Sequence, residues 1–330
     1  MLKRRMVGII TVLLGVSVAA FLLLHLAPGD PVTLLLPETA TQQDIQRVRA
    51  DWGLDRPLHI QYWEFMKRAL QGDLGKSFKF NEPVLNLILE RLPATIELAF
   101  ASFFVSLLIA IPAGVFSASR QNSLWDHSCM ILALMGASVP AFWVGIMLIF
   151  LFGGRLNLLP VSGRIDYGVA IAKMTHLYLL DSLLTLNWAA FINVLKHIIM
   201  PALTLGIAFA AVAARITRSS MLEVIHQEYV ITARAKGLGE MSVLWKHSFR
   251  NALCTILTLL GLQLGALLAG SIVIETVFSW PGIGSLLIQA ISYRDYKLVQ
   301  GVTFFFSLMY VTINLIVDLL YRVVDPRVKL

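Results

Sequence analysis

Carboxylates at the ends of long apolar runs are the first places to look for chemistry. Glu97 opens a run over residues 98–119, and Glu275 closes one over 252–274. An acidic side chain at the centre of a bilayer costs about 2.5–3.5 kcal/mol, so such groups are rare and mark function, whereas near the end of a span the cost is far lower. Each of the two is read in two ways, as a lining group of a passage across the membrane or as a side chain reaching the headgroups. Asp318 stands four residues before Arg322, where one helix face pairs the two charges. Gln263 and Asn314 are the other polar groups at comparable depth, and neither titrates. A relay of protons along titrating side chains therefore has nothing to run on.

Other reactive patterns fail on spacing. Gly75-Lys76-Ser77 ends like a phosphate-binding loop, but Leu70 occupies the position of the required first glycine and no strand precedes it. None of the seven histidines is three or four residues from another His or a Cys, so no metal site is expected. Cys129 and Cys254 lie at or inside apolar runs and read as small hydrophobes. Zincin and nucleophile-elbow patterns are absent, which leaves a membrane enzyme without support.

Two further stretches suit mechanical work. Glu228-Tyr229-Val230-Ile231-Thr232-Ala233-Arg234-Ala235-Lys236-Gly237-Leu238 predicts a short helix that ends at a glycine able to take positive φ. Its small Ala residues permit close approach and its cations supply polar contacts. It is either a lever that docks on a soluble partner or an ordinary basic loop helix. Phe278-Ser279-Trp280-Pro281-Gly282-Ile283-Gly284 breaks helicity at Pro and Gly and carries interfacial aromatics, which predicts a re-entrant gate or an anchored loop.

The elements that position these residues follow from composition. Hydrophobic residues make up 57% of the 330 and charged ones 14%, against about 25% charged in a soluble domain. Apolar runs over 6–27, 98–119, 128–154, 198–214, 252–274 and 298–317 predict an all-α membrane protein of six transmembrane helices. Lys3, Arg4 and Arg5 precede the first run, which has no small-x-small cleavage site and reads as an uncleaved helix. With the N-terminus inside, the short loops hold 13 basic residues inside and 6 outside, leaving aside 28–93, so both termini are expected in the cytoplasm. The formal net charge of +7 reflects these loops rather than nucleic-acid binding. A seventh apolar stretch, 177–195, contains Asp181, and its uncharged part is too short to span, so an interfacial or external helix is expected there.

Residues 28–93 read as an external helical segment. Thr41 with Asp44 resembles a capping box, followed by Ile45, Val48 and Trp52 at helical spacing. Pro57 suits the first turn of a second helix, with Tyr62, Phe65, Met66 and Ala69 on one face and Gly72 as the stop. A third short helix is expected from Pro83. Small residues repeat every fourth position at Gly206, Ala210 and Ala214, and at Gly261, Gly265 and Ala269, which permits close helix contacts within the chain or with another.

Taken together and in order, several motifs resemble the dipeptide, oligopeptide and nickel group of bacterial ABC importer permeases. They are Pro28-Gly29-Asp30-Pro31, the run from Gly53 to Leu58, Gly72-Asp73-Leu74-Gly75 with Ser77, Leu92-Pro93-Ala94-Thr95 with Glu97, and Leu159 to Arg164. The stretch 232–238, Glu275 with 278–284, Arg294-Asp295-Tyr296, and Asn314-Leu315 with Asp318 complete the set. Tyr178 to Asp181 ahead of His197 and Pro201 is similar to the dipeptide-type members. The resemblance implies a type I importer fold, with residues 1–93 as a helix plus periplasmic segment and 94–325 as a five-helix permease core whose coupling loop is 215–250. It implies a multi-pass chain of the bacterial inner membrane that binds no cofactor and hydrolyses nothing itself, ATP and Mg belonging to two cytoplasmic ATPases. A second homologous permease, a solute-binding protein and membrane lipid are the other implied partners. Glu228, Tyr229, Thr232, Ala233, Arg234, Ala235, Lys236, Gly237 and Leu238 would form the ATPase-coupling helix. Glu97, Glu275, Phe278, Trp280, Pro281 and Gly282 would belong to a gate or translocation path. The implied substrate is a di- or oligopeptide, with nickel or a metal chelate, glutathione and polyamine as alternatives. A secondary transporter is the alternative from a different class.

Overall fold

The computed structural model describes residues 11, 14–19, 21–22, 41–51 and 55–324. The described residues are helical, with a single isolated β-bridge between Lys76 and Pro83. Among the described residues four helices are long and apolar enough to cross a membrane, and a bent pair, counted as one span, brings the number to five. The first apolar run is described in part, helical at 14–19 and 21–22; the Pro28–Pro31 motif, Trp52, Gly53 and the side chains of Asp44, Ile45, Val48, Asp318 and Arg322 lie outside the described residues.

The chain divides into two compact units, residues 1–93 with 282–311 and residues 94–281 with 312–330. In the first, α1 (Gln42–Asp51) and α2 (Leu58–Leu70) follow the expected helical spacing. Pro57 is the residue before α2 rather than its first turn, and Gly72 at φ +82° stops the chain. The expected inward face of α2 is confirmed by two aromatic contacts. Tyr62 meets Phe21 edge-on at 5.5 Å between centroids, and Phe65 meets Phe304 at 5.7 Å. Val84, Ile88, Ile283, Leu286, Leu298 and Val302 close the core of this unit. The short helix expected from Pro83 does not end before the membrane. It is the start of α3 (Val84–Ser119), one helix of 36 residues, because Leu92-Pro93 does not interrupt it.

The second unit is built around α7 (Trp188–Ile225), a 38-residue helix against which α4 (Leu124–Ser138), α5 (Ala141–Arg155) and α6 (Tyr178–Leu184) pack. The run expected as one straight span over 128–154 is instead α4 and α5, bent by 98°. Val139 is extended and Pro140 lacks an N–H, which ends α4 and starts α5. The stretch 177–195 is not one external helix: α6 takes its first part, Leu186 turns at φ +53°, and the remainder is the beginning of α7. The Asn187 side chain caps α7 by accepting from the Ala190 N–H.

Beyond α7 come α8 (Glu228–Ala235) and α9 (Glu240–Leu268), the latter beginning with a π-helical turn at Val243–Phe249. The expected span 252–274 ends early, because Gly270 at φ +90° breaks it and α10 (Ile272–Val277) starts afresh. Finally α11 (Ile283–Ser292) and α12 (Tyr296–Val324) close the chain. The small-residue face of α7 serves packing within the chain. A Cβ on Gly206 would sit 2.5 Å from the Val105 side chain of α3, and Ala210 and Ala214 are buried. Gly265 of α9 likewise faces Ile313 and Asn314 of α12.

Candidate functional site

The expected gate residues Glu97, Glu275, Phe278 and Trp280 come together in the second unit. Phe278 and Trp280 leave α10 through a tight turn in which Ser279 takes φ +48° and the Trp280 N–H donates to the Glu275 carbonyl at 2.7 Å. Both rings are buried, and the Trp280 indole Nε1–H donates to the Ala94 carbonyl of α3 at 2.8 Å. Thr95, one residue on, donates its hydroxyl to Glu275 Oε1 at 2.8 Å. The first turn of α3 past Pro93 is thus fastened to the turn after α10 by a backbone carbonyl and a carboxylate. Pro281 follows Trp280 directly, and Gly282 is the extended N-cap of α11.

Glu97 is held from a third segment. Arg164 Nη2 donates to Glu97 Oε2 at 2.6 Å and to the His176 carbonyl at 3.1 Å, while the Leu179 N–H donates to Glu97 Oε1 at 2.6 Å. The guanidinium lies over the Tyr178 ring, 3.8 Å from its centroid, and 5.7 Å from that of Trp280. An ion pair this buried is sustained by further hydrogen bonds; both Glu97 oxygens and Arg164 Nη2 are engaged, while Arg164 Nε is buried without a partner. The Gly163 N–H donates to the Phe278 carbonyl at 3.0 Å, which adds a second tie between this loop and the turn. Glu97 therefore spends both oxygens, and Glu275 its Oε1, inside the chain. What the arrangement can do is fix three segments against one another.

Asp181 organises the same loop locally. It accepts from the Thr175 hydroxyl at 2.6 Å and from the backbone N–H groups of Met174, Thr175 and His176. Burial pushes its carboxyl up, but these four donors outweigh burial and hold it below the ordinary carboxylate value. Asp166 joins the loop to α7 by accepting from Asn193 Nδ2 at 2.6 Å.

The stretch expected to couple forms the short helix that its sequence predicts. The α8 helix shows one apolar side to its own unit, where Val230 and Ala233 pack on Val243. Glu228, Tyr229, Thr232, Arg234, Ala235, Lys236, Gly237 and Leu238 are exposed. Gly237 takes φ +77° with its N–H on the Arg234 carbonyl, so the chain reverses there into α9. Arg234 and Glu240 then pair across the turn at 2.7 Å.

Two anchors lie outside the residues expected at the gate and the coupling helix, and of these Asp126 carried no sequence signal. Asp126, at the start of α4, accepts both Arg218 Nε at 2.6 Å and Nη2 at 2.7 Å, and also accepts from Ser117 and the Asn122 N–H. In the first unit, Asp295 accepts from the Ser77 hydroxyl and from the N–H groups of Phe78 and Lys79. That contact joins two motifs that lie 218 positions apart in the chain. Among the described residues no three His, Cys, Asp or Glu side chains cluster as metal ligands would.

Residues 110–330 match the family described as binding-protein-dependent transport system inner membrane component, and residues 1–99 match its N-terminal family. The chain is 41% identical, over 99% of its length and 98% of the relative's, to the dipeptide transport system permease protein DppB of Alkalihalophilus pseudofirmus. It is 42% identical to the probable D,D-dipeptide transport system permease protein DdpB of Escherichia coli, covering 99% of this chain and 96% of that one. It is also 42% identical to the di/tripeptide transport system permease protein DppB of Pseudomonas aeruginosa, covering 99% and 98%. An inward-facing structure of the MetNI methionine ABC transporter aligns with 72% of this chain and 96% of its own at a TM-score of 0.54 and 17% identity, a likeness of fold alone. The fold is that of the type I ABC permeases, and the chain belongs to the inner-membrane components of binding-protein-dependent transport systems.

Proposed function

We propose that this chain is one of two pore-forming permeases of an ATP-driven importer for di- and oligopeptides. The observation that carries the substrate class is the full-length similarity, at 41–42% identity, to three permeases named for dipeptide or di/tripeptide transport. The exposed α8 helix, with a buried foot and a positive-φ glycine at its end, supports the coupling role. In this reading, closure of two cytoplasmic ATPases pushes α8, and a two-state motion turns the pore from inward to outward facing. A solute-binding protein delivers the peptide, and hydrolysis resets the pore.

Six spans with both termini in the cytoplasm complete the proposal. The basic residues of 215–250 support that orientation, because they share one short loop. Residues 1–93 would be a helix with an external segment, joined to a five-helix core over 94–325. The turn at 278–282 would be the gate, with Glu97 and Glu275 anchoring it rather than carrying substrate. Their engaged oxygens support that division of labour.

The test is purification of a tagged chain from solubilised membranes, with mass spectrometry of what comes with it and an ATPase assay of the eluate. Recovery of a second permease and ATPases, stimulated by a peptide-loaded binding protein, is expected. Stimulation by a nickel-loaded binding protein instead would move the substrate to metal. A chain that purifies without ATPases would sink the reading.

A further inference from the structure

A cavity of about 550 Å³ opens between α3 and α7 in the second unit, and nothing in the gate or coupling role uses it. Its walls include Phe100, Ala101, Phe104, Ile198 and Ala202, and Leu179 lies at one end. The only charged lining residue is Glu97, whose two oxygens are already engaged. A peptide would find no partner here for its backbone amides, at a cost that buried polar groups do not bear.

The surroundings are those of hydrocarbon. Phe100, Phe104 and Leu108 stand one turn apart on α3 and are each more than half exposed. Both helices are spans, so such a face meets lipid or another apolar chain. Toward the end marked by Leu179, exposed Leu183, Leu184 and Leu186 precede exposed Trp188, the pattern of a segment at the headgroup level. Lys196 follows on α7 three residues before Ile199, which lines the cavity, and so shares that face of the helix. It is exposed and has no ion-pair partner among the described residues. A long cationic side chain so placed lays its stem on apolar surface and its ammonium among headgroups.

We infer that this groove holds one acyl chain of a phospholipid whose phosphate pairs with Lys196. The volume falls within the roughly 300–1,000 Å³ of small-molecule sites. Two turns of a helix 10–12 Å across would occupy on the order of 1,000 Å³, so the space suits a single chain of methylenes better than a helix from another subunit.

A photo-crosslinking benzoylphenylalanine in place of Phe104, irradiated in membranes with the complete transporter, reads the occupant directly. Adducts to phospholipid are expected; adducts to a protein chain instead overturn the inference. Native mass spectrometry of the intact complex gives a second reading. Ala101→Phe, which fills the groove, should retain one phospholipid fewer per copy. Should that variant not assemble, Lys196→Gln tests the headgroup contact, with retention of phosphatidylglycerol falling roughly fivefold. Unchanged lipid retention in Lys196→Gln, or in an assembled Ala101→Phe complex, would also overturn it.

Discussion

Arg164 and Glu97 meet at 2.6 Å with both side chains less than a tenth exposed, and the pair joins the loop between α5 and α6 to the interior of α3. Removing one partner leaves the other charged and buried. Arg164→Met is expected to cost about 3–5 kcal/mol, and adding Glu97→Gln to it should restore much of that, because the amide carbonyl still accepts from Leu179. Thermal unfolding of the purified complex measures both. Equal melting temperatures for the single and double variants would contradict the pairing argument.

Trp280→Phe keeps most of the buried ring and deletes one donor. The Ala94 carbonyl then loses its indole partner, at about 1–3 kcal/mol. Peptide uptake should fall with little change in the amount of protein in the membrane. Uptake and stability equal to the parent chain would mean that the bond fixes nothing.

Gly237→Val asks a β-branched residue to take φ +77°, which costs on the order of 1–3 kcal/mol, although open space surrounds the site. The end of α8 should tilt or fray while the spans insert normally. Uptake and peptide-stimulated ATPase activity are expected to drop together. Normal uptake in this variant removes α8 from the coupling role.

The Asp181 carboxyl titrates below its ordinary value of 3.8, so the stability that it supplies is complete above that pH and is lost as pH falls through the lower folded value. Asp181→Ala removes the acceptor at every pH and should flatten the acid limb of the melting curve while lowering it at neutral pH. Proteolysis within 170–180 should quicken in the same variant. A parent and variant with parallel acid limbs would show that Asp181 is not the titrating anchor.

Most spans and the short helix α8 were legible because they are written in local pattern. Apolar runs of sufficient length, a short basic helix and a glycine stop need no distant partner to be read. Breaks within runs were less visible. Gly270 sits in an unremarkable row of small residues, and its positive φ is set by how α10 must turn back. The beginning of α7 was hidden because Leu186 and Asn187 divide a stretch that is apolar on both sides. The pairings at the site were illegible for another reason. Arg164 with Glu97, Thr95 with Glu275 and Arg218 with Asp126 lie 67, 180 and 92 positions apart, and nothing local in either partner names the other. Glu97 and Glu275 could be picked out by depth alone, which identifies an important carboxylate but not the side chain that satisfies it.

The length of α7 has a mechanical consequence. At 1.5 Å per residue its 38 residues extend about 57 Å, nearly twice the hydrocarbon thickness of a bilayer. One end is two residues from α8, and the other is capped beside the loop that carries Arg164 and Asp181. In the proposed cycle such a shaft would carry a push from one aqueous face to the other without intermediate joints, save one. Pro201 offers no N–H to the His197 carbonyl, so bending stiffness is lowest there. Force applied at Glu228 would be delivered along the axis and converted to a change of angle at a single place, beside the core that Ile198, Met200 and Ala202 share with Phe278 and Trp280.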